Sequence, residues 1–86
     1  MLIRSQDRTK LVDITGKTIV ASGANDIKIS YANSSVRLGH YESKENAIKV
    51  LDFIQESYIN GHIDFQMPKD EDVNEWRIEK NLLKKF

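Results

Sequence analysis

Residues 43–60, SKENAIKVLDFIQESYIN, constrain the rest of this chain more than any other stretch. Ala47, Val50, Leu51, Ile54 and Tyr58 recur at the spacing of one face of an α-helix, while Lys44, Glu45, Lys49, Asp52, Gln55 and Glu56 fall mostly on the others. Ser43 stands where an N-cap hydroxyl accepts from the free N–H groups of the first turn, and Glu45 suits the positive end of the helix dipole. Asn60 and Gly61 close the element, with Gly61 as the left-handed residue past its end. Ile48, Phe53 and Ile59 lie off the main stripe and widen it, which predicts cover on more than one side. Such a helix, about 25 Å long, is marginal by itself, so its stripe needs a partner surface. That surface has to come from the residues before it.

Those residues read as short strands. Residues 2–5 suit an edge strand, 10–14 a second strand with Val12 and Ile14 on one face, and 18–22 a third, rich in β-branched side chains. Residues 27–31 alternate strictly, Ile27, Ile29 and Tyr31 against Lys28 and Ser30, which is the pattern of a half-buried antiparallel strand. Residues 36–41 follow, with Val36 and Leu38 inward. The connections are short and polar, so they favour hairpins over parallel crossovers. The expected architecture is α+β: one antiparallel sheet of four or five strands, covered on its apolar face by the helix at 43–60. The expected core is Ile3, Val12, Ile14, Ile19, Ile27, Ile29, Leu38, Ala47, Val50, Leu51 and Ile54.

Past the helix the pattern weakens. Residues 62–67 alternate, with Ile63, Phe65 and Met67 on one side, and read as a short strand added to a sheet edge of this chain or of a neighbour, ended by Pro68. Asp70 then stands as a cap for a second helix over 71–85, acidic at its start and basic at its end. Its apolar residues spread over a wide arc, which suits a tail docked on another subunit or partner with Trp76 as anchor. The division that follows is a sheet-and-helix domain at 1–67 and a helical tail at 68–86.

Eighty-six residues without cysteine allow one small core and no disulfide or thiolate metal site. No apolar run approaches the ~20 residues of a membrane span, and the start lacks a signal-peptide core, so a cytoplasmic protein is expected. Net charge is zero but blocked: residues 1–41 carry net +3, 42–75 net −6 and 76–86 net +3. An acidic centre between basic ends is compatible with self-association and lacks the overall basic excess of a broad nucleic-acid surface.

Sites of chemistry are sparse. His62 and Asp64 alternate and could share an ion, but a zinc site takes about four converging ligands. His40, beside Tyr41, reads as a surface hydrogen-bonding residue, and Ser34, Ser35 and Ser43 as turn and cap residues without a nucleophile elbow. Gly16-Lys17-Thr18 ends like a phosphate loop, but Leu11 stands where that motif needs its first glycine. Asp70, Glu71 and Asp72 do not follow a calcium-loop spacing. No cofactor and no catalytic residue is therefore expected.

Residues 38–43, running into Ala47-Ile48-Lys49-Val50-Leu51, together with the opening Leu2-Ile3-Arg4-Ser5-Gln6-Asp7 and the late Phe65-Gln66-Met67-Pro68, resemble a loose group of small uncharacterised proteins of Gram-positive bacteria and their prophages. The resemblance covers residues 1 to about 72 and implies a β-rich sheet followed by one helix, with no activity to carry over.

Three functions follow as expectations. The first is a non-enzymatic protein-interaction module, self-associating or binding another protein, with Phe65, Met67, Trp76 and Leu83 in the contact. The second is nucleic-acid binding by a basic outer sheet face holding Arg4, Lys28 and Arg37. The third is a small-ligand binder with a site between subunits.

Overall fold

The computed structural model describes residues 1–23, 25–30 and 33–74. Its helix forms where the periodicity puts it. Helix α1 runs Lys44–Ile59, and the Ser43 side chain accepts from the Asn46 N–H. At the other end the His62 N–H bonds the Ser57 carbonyl and the Gly61 N–H bonds that of Tyr58. This pair of reversed bonds is the Schellman closure, and it needs the positive φ of 79° that Gly61 adopts.

Six short strands surround the helix in sequence: β1 (Leu2–Arg4), β2 (Leu11–Asp13), β3 (Thr18–Ala21), β4 (Asp26–Ser30) and β5 (Ser35–His40) before it, and β6 (Asp64–Gln66) after it. The α+β class stands, but the strands divide into two three-stranded sheets, β2-β1-β6 and β3-β4-β5, instead of one of four or five. The division has a local cause. The Asp13 carboxylate accepts from the Thr15 N–H and hydroxyl, and the Lys17 N–H bonds the Ile14 carbonyl. This turn carries the chain away from β2 before β3 begins, so β3 pairs with β4. The added strand joins this chain's own edge: β6 pairs parallel to β1, with Ile3 opposite Phe65, where only antiparallel pairing was expected. The bonds from Leu2 N–H to Ile63 O and from Met67 N–H to Arg4 O extend that ladder at both ends.

Helix α1 packs on β3 and β4. It buries Ala47, Val50 and Ile54 against Ile27, Ile29 and Leu38, with Leu51 half-buried beside them. Every residue of the expected core is in the cluster or packed against it, and Tyr41, Met67 and Val73 join it. Beyond the sheet, α1 is also covered at Asn46 by Asp70 and Asn74, and Phe53 is half-buried, but Ile48 and Ile59 are exposed and Tyr58 rides past the sheet into solvent. Val73 is fully buried, so the core takes residues from beyond position 67.

A bulge and a buried polar node join the two sheets. Ile27 faces Gly39 and Lys28 faces Arg37, so Leu38 has no opposite number in the β4–β5 ladder. Its carbonyl accepts instead from the Gln6 N–H at 2.7 Å, just past β1. The Gln6 side chain accepts from the His40 N–H at 2.9 Å and donates to the Pro68 carbonyl at 3.1 Å. Tyr41, fully buried, donates its hydroxyl to the same carbonyl at 2.8 Å. Burial, and then the charge of Asp70, pushes the Tyr41 hydroxyl well above its usual pKa, so it remains a donor.

The bulge leaves no room above this node. A Cβ at Gly39 would lie 3.1 Å from the Tyr41 hydroxyl and 3.3 Å from the Gln6 Cβ. Gly39→Ala is expected to cost about 1–3 kcal/mol as an overpacked site, read from urea unfolding. A variant as stable as the parent would show that the node shifts freely.

Candidate functional site

The β1–β2 turn is built by one carboxylate. Asp7 Oδ1 accepts from the Ser5 hydroxyl at 2.7 Å, the Thr9 N–H at 3.0 Å and the Thr9 hydroxyl at 2.7 Å. The two Thr9 bonds, then that from Ser5, hold this carboxyl far below the usual carboxylate range. Buried Ser5 also accepts from the Lys10 N–H, so the loop 5–10 is fully tied. It forms one wall of a cleft of about 430 Å³, whose other wall is β5 from Ser35 to His40.

The cleft's polar groups are held in pairs. Asp26 and His40 face each other across the β4–β5 ladder, and His40 Nδ1 lies 2.6 Å from Asp26 Oδ1. This contact engages one ring nitrogen, while the His40 side chain as a whole is more than half exposed. Arg37 reaches to 3.9 Å of the same Asp26 oxygen. Lys10 stands 4.0 Å from Asp7 Oδ2. A His–carboxylate pair of this kind orients an imidazole for acid–base work where a nucleophile or substrate group lies within reach. Among the described residues Ser35 is the hydroxyl lining the cleft, and the His40–Asp26 arrangement is a cross-strand clamp on β4 and β5. The sequence listed His40 and Asp26 fourteen residues apart; their pairing follows from the bulge, which puts both on the outer face.

A second polar cluster ties the segment after Pro68 to the start of α1. Residues 70–74 are helical, where the second helix was expected to begin, but Asp70 lies inside that first turn instead of capping it. Its Oδ1 accepts from the Glu42 N–H at 3.0 Å and from Asn46 Nδ2 at 3.3 Å, while the Lys69 carbonyl accepts from the N–H groups of Asp72 and Val73. Asn46, buried on α1, also donates to Asn74 Oδ1 at 3.1 Å. Desolvation opposes the Asp70 charge, but hydrogen bonds from the Glu42 backbone and side chain and from Asn46 outweigh it and hold the carboxyl below its ordinary value. The hydrogen bond to Asp70, and then its charge, push Glu42 above its own. The two carboxyls thus share one proton in the interval between their values.

The remaining expected residues fall as follows. Lys28 and Arg37 are opposite each other on the outer face of β3-β4-β5, but Arg4 lies on the other sheet, and Asp26 offsets Arg37. The three therefore do not form one continuous basic face. Phe65 is half-buried and Met67 lies in this chain's own core, so Met67 presents no surface to a partner. Trp76, Leu83 and Tyr31 lie outside the described residues, as does most of the helix expected over 71–85. His62 and Asp64 are both exposed, and the described residues hold no group of three or more His, Asp or Glu placed to ligate a metal. No described helix is long and apolar enough to cross a membrane. No family model, curated protein or solved structure matches the chain, so the resemblance to the Gram-positive and prophage group rests on its residues alone.

The carboxyl pair has a signed pH dependence. Asp70, with its value lowered, contributes stability above its ordinary pKa and loses it as pH falls through the lowered one. Glu42, with its value raised, contributes while protonated and loses this as pH rises through the raised one. Asp70→Asn is expected to bring the Glu42 titration, followed by carboxyl carbon NMR, down toward the ordinary glutamate range. An unchanged Glu42 midpoint would mean the pair is not coupled.

Proposed function

We propose that this chain is a non-enzymatic protein-interaction module that associates with copies of itself. One observation carries the reading. Tyr58, Ile59 and Ile63 are 66%, 71% and 82% exposed, and they sit together in sequence at the last turn of α1 and the link into β6. Ile63 is also the residue whose carbonyl opens the β1–β6 ladder, and β6 is an edge strand. Large apolar side chains beside an open strand edge are what a self-associating surface offers, because pairing covers both liabilities at once.

The charged groups support the same reading by being otherwise engaged. Asp7 holds a turn, Asp26 clamps two strands, and Asp70 holds the segment that follows Pro68. Each serves the fold, and the hydroxyls of Ser5 and Thr9 that bond Asp7 are part of its turn. The contact proposed is thus Tyr58, Ile59 and Ile63, with Phe65 at its margin, in place of buried Met67; Trp76 and Leu83, also expected in the contact, lie outside the described residues.

Light scattering on the purified chain is expected to give an integer multiple of 9.9 kDa above one. The triple variant Tyr58→Ser, Ile59→Ser, Ile63→Ser is expected to run as a monomer with unchanged circular dichroism, since exposed substitutions typically move stability by only about 0.5 kcal/mol each. A parent that is monomeric at high micromolar concentration, or a triple variant that assembles like the parent, would overturn the proposal.

A further inference from the structure

The outer face of the β2-β1-β6 sheet carries a second feature, independent of the self-association surface. Side chains alternate along β1 and β2, so Leu2 and Arg4 share this face with Leu11 and Asp13. Leu2 and Leu11 are diagonal neighbours across the ladder, 40% and 57% exposed. With Arg4, Arg8, Asp64, Phe65 and Gln66 they line a depression of about 310 Å³. That is the low end of the ~300–1,000 Å³ that ligand pockets occupy, so any ligand is small.

Two arginines, Arg4 and Arg8, line this depression. Arg4 lies on β1, and its NH1 reaches to 3.5 Å of the Arg8 carbonyl. Arg8 stands at the end of the β1–β2 turn with a positive φ of 68°, held there by the Asp7 bonds and by its own N–H on the Ser5 carbonyl. Among the described residues, the ion pairs of Asp7, Asp13 and Asp26 go to Lys10, the N-terminus, Arg37 and His40, and not to Arg4 or Arg8. Lys10 and Arg37, by contrast, each have such a partner. Asp64, opposite Leu2 on β6, is the carboxylate lining the depression, so its walls carry a net charge of one positive unit.

We propose that this face binds a small monoanion with an apolar body, of the class of a medium-chain carboxylate. The carboxylate would lie between the Arg4 and Arg8 guanidiniums, whose planar donors match its two oxygens. The apolar body would cover Leu2 and Leu11. Asp64 disfavours a dianion such as phosphate, and the exposed leucines give a small hydrophilic anion nothing to bury.

Decanoate below its micelle concentration is the probe, followed by amide chemical shifts of the whole chain. Saturable shifts are expected at residues 2–4, 8, 11 and 64–66, with affinity at least tenfold above that for decanol, acetate or inorganic phosphate. Arg4→Gln with Arg8→Gln, both substitutions at the surface, is expected to lower decanoate affinity at least tenfold with the circular dichroism unchanged. Decanol binding as tightly as decanoate would remove the role of the arginines. Acetate or phosphate binding as tightly would remove that of the leucines. Shifts confined to residues 58–63, or none, would overturn the site altogether. Should the arginine variant fail to fold, the comparison of the four probes on the parent chain decides the proposal by itself.

Discussion

The carbonyl of Pro68 holds the structure together. It accepts from both the Gln6 side chain and the Tyr41 hydroxyl, so a residue after β1, a residue after β5 and the segment after β6 meet at one atom. Two sheets of three short strands would each be weak units, because three-residue strands bury little and expose both edges. The node converts them into one core. A buried carbonyl left without donors costs about 1–3 kcal/mol, so the arrangement is strongly favoured over any in which the segments separate. The bulge at Leu38 is part of the same constraint, since it frees the carbonyl that Gln6 bonds and puts a glycine where the Tyr41 ring must lie.

Around this node the charges are used locally. Each of Asp7, Asp13, Asp26 and Asp70 collects hydrogen bonds from its own turn or from the strand or loop beside it. Among the described residues, two regions keep side chains that the fold does not consume: the apolar end at Tyr58, Ile59 and Ile63, and the leucine–arginine face of β2-β1-β6. The proposed self-association uses the first, and the proposed small amphipathic anion the second.

Much of the fold was legible because it is written in short-range patterns. Ser43 and Gly61 mark the ends of α1, strict alternation marks β4, and the apolar stripe names Ala47, Val50 and Ile54 as core. What was not legible depends on contacts far apart in sequence. Nothing near Gln6 or Tyr41 announces that they share an acceptor some sixty and twenty-seven residues on. The parallel β1–β6 pairing is equally invisible, because its two strands are short and separated by almost the whole chain. Met67 reads as a surface contact in a pattern read locally and becomes core, together with Val73, once the node brings their segment inward. The His40–Asp26 pair was missed because a one-residue bulge decides which face His40 takes; the cue was Gly39, a glycine inside a strand pattern.

The central claim is that the two sheets fold as one unit because of this node. Native-state hydrogen exchange, resolved by amide, tests it most directly. The account predicts that the slowest amides of β1 and β4, Ile3 and Ile29 among them, open with the same free energy and the same denaturant dependence, as members of one cooperative unit do. A β2-β1-β6 sheet that opens by itself at markedly lower free energy, while β3-β4-β5 and α1 stay protected, would contradict it.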